Sequence, residues 1–165
     1  MTIQKISLTI FLVLCMLCLA QGVYYYPLLP EEVASHFGLS GQPDAWSTKT
    51  SFIVHYFILV GFMIIIFLGI RFGMSKIPDS LINMPNKDYW LSPERRQKTF
   101  DFMSHYFLWI ASATILFLLD MFNQIFQVHL GRANGMSHLV LSLGLLLGFA
   151  VLWTIGLVRR FGQKD

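Results

Sequence analysis

The chain has 165 residues, of which 55% are hydrophobic and 13% charged, with a formal net charge of +3. Soluble domains carry about 25% charged residues and roughly 45–50% apolar ones, so this chain holds more apolar side chain than one small core can hide. That excludes a soluble enzyme, a disordered chain and a nucleic-acid-binding domain.

Four apolar runs, at about residues 6–24, 51–70, 101–126 and 138–158, each approach or exceed the roughly 20 residues that cross a bilayer. They predict an all-α, polytopic membrane protein with four transmembrane helices, one structured extracytoplasmic loop and a single domain over 1–165. The first run follows Lys5 and competes with a secretory signal peptide. Its length and the poor small-x-small pattern at Cys18-Leu19-Ala20 favour a retained span. Cys15 and Cys18 within it have C-x-x-C spacing, but in an apolar helix they read as soft packing residues.

Counting Lys and Arg orients the chain. Lys5, Arg71, Lys76, Lys87, Arg95, Arg96, Lys98, Arg159, Arg160 and Lys164 fall on one side, ten of the twelve, leaving Lys49 and Arg132 on the other. Both termini and the loop at 71–100 are therefore expected in the cytoplasm. The basic excess meets lipid headgroups of the bilayer rather than nucleic acid.

The outer loop, 25–50, opens on tyrosines suited to the interface. Pro30-Glu31-Glu32 reads as the first turn of a short helix, with Val33 and Phe37 on one face and Gly38 as its stop. Gly41, Pro43 and Asp44 punctuate a turn, and Trp46 returns the chain to the interface. In the cytoplasmic loop, Asn83 and Pro85 mark turns and Tyr89-Trp90 suits the inner headgroup level. Ser92-Pro93-Glu94 reads as a helix start, with Ser92 as N-cap. From there an unbroken helix, beginning with Arg95 and Arg96, runs past Phe126 for roughly 50 Å, longer than the ~30 Å hydrocarbon core.

Ionisable groups inside membrane segments are costly and mark candidate sites. His55 and Asp120 fall at matching depth on the second and third spans, Asp120 within a turn of Asn123 and Gln124. They read either as a proton or polar-ligand site or as an interhelical latch. Four histidines (His36, His55, His129 and His138) fall on the outer side beside Asp44 and Glu31. Imidazole with carboxylate suits zinc or copper, but the spacings match no metal motif, so neither metal nor cofactor is expected. Gly144 and Gly148 form a G-x-x-x-G, a surface for close helix packing within the bundle or for a homo-oligomer. No nucleophile elbow, zincin pattern, phosphate loop or dinucleotide fingerprint is present. The chain therefore reads as no enzyme; lipid chemistry at His36, Asp44 or Asp120 is the remaining alternative.

The segments Leu29-Pro30-Glu31-Glu32-Val33-Ala34-Ser35-His36-Phe37-Gly38 and Gly41-Gln42-Pro43-Asp44-Ala45-Trp46 resemble the signature of the bacterial family called domain of unknown function 1648. The stretch Asn83 to Arg96 is also similar to a segment of its stand-alone members. A similar module opens longer membrane proteins of the Sdp toxin-immunity and signalling type. The resemblance implies a multi-pass protein of the bacterial cytoplasmic membrane, with an outer face of His36, Phe37, Gly38, Gly41, Pro43, Asp44 and Trp46. That face would engage a peptide or membrane-protein partner. The alternative function is a small transport or ligand-binding unit centred on His55 and Asp120.

Overall fold

The computed structural model describes residues 3–38 and 41–164. Its main elements, in chain order, are α1 (Ile3–Tyr25), β1 (Glu32–Phe37), β2 (Pro43–Thr48), α2 (Lys49–Gly73), α3 (Lys87–Trp90), α4 (Arg96–His129) and α5 (Leu139–Gly162). Four of these helices, α1, α2, α4 and α5, are long and apolar enough to cross a membrane. Each matches an expected span, extended by a few residues at one or both ends.

The long helix α4 organises the molecule, packing against each of the other three. Its 34 residues reach about 51 Å at 1.5 Å per residue. Phe11, Cys18, Tyr56, Val60, Leu108, Ile115 and Phe126 form one buried core between α1, α2 and α4. Cys15 and Cys18 are both buried there, as packing residues. Polar side chains stitch the same helices. Tyr56 donates its hydroxyl hydrogen to the Cys18 carbonyl at 2.5 Å, and Gln21 Nε2 donates to the Leu119 carbonyl at 3.0 Å. Gln127 Nε2 donates to the Tyr25 hydroxyl, which in turn donates to Asn123 Oδ1. α5 lies mainly along α4: Tyr106 and Trp153 stack and each donates to the other's backbone carbonyl.

Three local expectations change. The segment after Pro30 is an antiparallel hairpin, not a short helix, with Glu32 opposite Thr48 and Phe37 opposite Pro43. A helix of fewer than two turns is marginal by itself. Pairing instead satisfies the backbone and carries Val33 and Ala34, both fully buried, into the helical core. Glu31, expected in a helical first turn, instead clamps the hairpin's base to α2: its carboxylate meets Lys49 Nζ at 2.8 Å and its carbonyl accepts from the Lys49 amide. Pro43 and Asp44 accordingly belong to β2 rather than to a turn. Finally, α4 begins at Arg96, not at Ser92. Residues 92–95 form a turn in which the Ser92 carbonyl accepts from both the Arg95 and Arg96 amides.

Candidate functional site

The hairpin is built with two unlike faces. Side chains alternate along a regular strand, but register shifts at Ala34/His36 and His36/Phe37 break the alternation here, leaving Val33 and Ala34 buried and Ser35 and His36 exposed. On β2, Asp44 and Trp46 are both exposed, Trp46 to 59%. His36 Nδ1 lies 2.5 Å from Asp44 Oδ1, with both side chains largely in the open. The exposed side chains of the hairpin therefore include a bridged imidazole and carboxylate and a bare indole.

The inward face is fixed at three heights. Lys49 and Glu31 hold the base. In the middle, His129 Nε2 donates to the Ala34 carbonyl at 3.0 Å while its ring stands edge-on to Phe52, 4.9 Å away, and beside Phe37. At the tip, the Met136 amide donates to the Gly41 carbonyl at 3.2 Å. Gly41 has φ +75°, and a Cβ there would come 3.3 Å from the Met136 carbonyl, so backbone twist and close approach both call for glycine. A Cβ on Gly38 would meet the Asp44 carboxylate at 3.2 Å. Below the hairpin, a groove of about 420 Å³ runs between α2 and α4, lined by Phe37, Phe52, His55, Phe62 and Ile125 among others.

His55 and Asp120 do not meet. His55 is exposed on α2 and donates from Nδ1 to the Ser51 carbonyl of its own helix at 2.7 Å. Asp120 faces a different cavity, of about 600 Å³, between α1, α4 and α5. Its Oδ2 accepts from Ser142 Oγ at 2.6 Å and from Gln124 Nε2 at 2.8 Å, and Gln124 Oε1 accepts from the His138 amide. The matching depth expected from sequence does not bring them together, because the two groups line separate spaces. Asn123, placed beside Asp120 by sequence, turns instead to Tyr25. The other histidines expected on the same side are equally dispersed: His36 bridges to Asp44, His129 holds the hairpin, and His138 sits at the start of α5. Among the described residues no three His, Cys, Asp or Glu side chains gather as a metal would require. Ser142 has no signal in the sequence that marks it, because a serine in an apolar run reads as helix filler until its partner is known.

At the opposite end, the loop before α4 closes over the end of α5. Asn86, at φ 51°, donates from Nδ2 to the Phe161 and Gly162 carbonyls, both at 3.0 Å, and Trp90 Nε1 donates to the Phe161 carbonyl. These bonds satisfy carbonyls that a helix end leaves without intrahelical partners. Arg96 joins Asp79 at 3.0 Å and reaches the Ser75 and Ile77 carbonyls, whereas Asn83, Pro85, Pro93 and Glu94 are exposed. Arg95 lies over the Tyr89 ring at 4.2 Å. A Cβ added at Gly144 or Gly148 would meet nothing within 4 Å, whereas Gly156 packs on Tyr106. The first two therefore sit on the face of α5 turned away from α4, outside the internal packing expected of them.

No curated protein and no solved structure matches the chain. One family model does, over the stretch that holds most of α1, the whole hairpin and the first part of α2. Residues 13–64 match the family described as Domain of unknown function (DUF1648).

Proposed function

We propose that this protein is a non-enzymatic module of the bacterial cytoplasmic membrane, with both termini in the cytoplasm, whose outer hairpin recognises a peptide or another membrane protein. Immunity to a secreted peptide, or signalling in response to one, are roles of that kind. The observation that carries the reading is the exposure of His36, Asp44 and Trp46 on a hairpin that is docked along its length. A bridged imidazole and carboxylate supply directional polar contacts. An exposed tryptophan supplies the rigid, amphipathic anchor typical of binding hot spots.

The test is purification at native expression level, with mass spectrometry of polypeptides that accompany the protein in stoichiometric amount. A partner retained by the wild type and lost in His36→Ala, Asp44→Ala and Trp46→Ala, at unchanged folded yield, supports the reading. An identical set of companions in all four proteins overturns it.

A second reading rests on the cavity beside Asp120, which is lined mainly by apolar side chains with a carboxylate and the Ser142 hydroxyl at one point. Such a space suits an apolar ligand carrying a cationic or hydrogen-bond-donating group. Asp120→Asn keeps the side chain's shape and removes its charge. Loss of activity in that variant at normal yield supports this reading, and unchanged activity ends it.

A further inference from the structure

A third cavity, of about 330 Å³, lies where α4 begins and α5 ends. Its polar lining includes Arg95, Lys98 and Arg160, its floor is Trp90, Phe102 and Phe161, and among the described residues no carboxylate lines it. The volume falls in the range of small-ligand pockets, roughly 300–1,000 Å³. It sits at the limit of the apolar segments of both helices, where a bilayer's hydrocarbon gives way to headgroups.

The cations are held rather than scattered. The Arg160 guanidinium lies over Trp90 at 4.7 Å and over Phe102 at 6.0 Å, and Arg95 lies over Tyr89 at 4.2 Å. Stacking on these rings fixes both guanidinium groups at the cavity, and guanidinium is a strong partner of phosphate oxygens. The aromatic floor is itself immobilised: Trp90 donates to the Phe161 carbonyl, and its own carbonyl accepts from Thr99 Oγ1 at 2.8 Å.

We infer that this cavity binds the phosphodiester headgroup of an anionic phospholipid, with Arg95, Lys98 and Arg160 around the phosphate and the acyl chains running down the apolar surface of α4 and α5. The site is separate from the hairpin and does not rest on the recognition role proposed for it.

The test uses the full chain in a mild detergent. Native mass spectrometry reads the binding of dioleoylphosphatidylglycerol and, as zwitterionic control, dioleoylphosphatidylcholine. A cation near a lipid phosphate changes affinity about fivefold, so the Lys98→Gln/Arg160→Gln variant should bind the anionic lipid about 25-fold more weakly. Arg159→Gln/Lys164→Gln removes the same charge from residues that do not line the cavity and should change binding less than about twofold. An equal loss in both variants would mean diffuse surface charge and would overturn the site. Equal wild-type affinity for the two lipids would overturn it as well. Displacement of bound phosphatidylglycerol by millimolar inorganic phosphate would make it a free-anion site and reject the lipid. Thermal midpoints confirm that the variants are folded; if the first double variant is not, Arg95→Gln/Lys98→Gln is read against the same control.

Discussion

Gly22 is the tightest seam between α1 and α2, and its replacement by alanine gives a sharp test of how the helices pack. A Cβ at Gly22 would come 2.6 Å from Tyr56 Cε1 and 2.7 Å from Phe57 Cζ. Carbon atoms pack at about 3.5–4.0 Å, so one helix must move by roughly an ångström or the rings must turn. Tyr56 has little freedom to turn. Its hydroxyl is bonded to the Cys18 carbonyl and Gln21, and its ring meets Phe122 edge-on at a centroid distance of 4.5 Å. Inserting a methyl group into such a seam costs about 1–3 kcal/mol, a factor of roughly 5–150 in the folding equilibrium. The assay is reversible unfolding in mixed micelles, followed by circular dichroism. Gly61→Ala is the internal control, because nothing lies within 4 Å of a Cβ there. It should be neutral or stabilise by up to about 1 kcal/mol through helix propensity. If Gly22→Ala unfolds with the wild type, or if the two variants behave alike, the close α1–α2 approach is wrong.

Two further perturbations address the two ends of the molecule. His129→Phe keeps an aromatic ring beside Phe52 but removes the donor to the Ala34 carbonyl, a bond worth about 1 kcal/mol. Hydrogen exchange at the Val33 and Ala34 amides should rise about fivefold with the mid-helix amides of α4 unchanged, and unchanged exchange in the hairpin refutes the latch. Asn86→Ala removes two donors to the end of α5, so exchange and proteolysis should increase over the last turn, at residues 159–162, and nowhere in α1 or α2. A variant as protected there as the wild type would show that the loop does not cap the helix.

The four long apolar helices are legible in the sequence because length and composition are properties of single segments, independent of partners. The long α4 can likewise be read from one unbroken pattern. What the sequence conceals is pairwise. Glu31, Val33 and Phe37 fit a helical face as well as a strand, and only pairing with 43–48 and burial of Val33 against the core decide for the hairpin. Sequence position puts His55 and Asp120 at equal depth, yet depth says nothing of azimuth. The rotation of each helix is set by core residues such as Tyr56 and Phe122, which are known to be core only once packed. Gly144 and Gly148 illustrate the same limit: their spacing is visible, but whether it faces α4 is not.

The hairpin motif then divides by physics into two sets. Phe37 and Gly41, with Val33 and Ala34, make the contacts that fix the hairpin to the helices and to the loop between α4 and α5. His36, Asp44 and Trp46 make none of those contacts. An exposed ion pair contributes about 0.2–1 kcal/mol at most, and an indole left largely in solvent contributes little to a core. The folded state therefore has small need of the second set, while the first set holds it rigidly in place. Rigid presentation lowers the entropy lost on binding, which is the physical basis for assigning recognition to the outward face. The division makes a separable expectation. Phe37→Ala should loosen the hairpin and weaken any partner with it. His36→Ala and Asp44→Ala should leave hairpin exchange at the wild-type rate and weaken the partner alone. Equal loosening by all three would mean that the outward pair serves the fold, and the case for recognition there would fall.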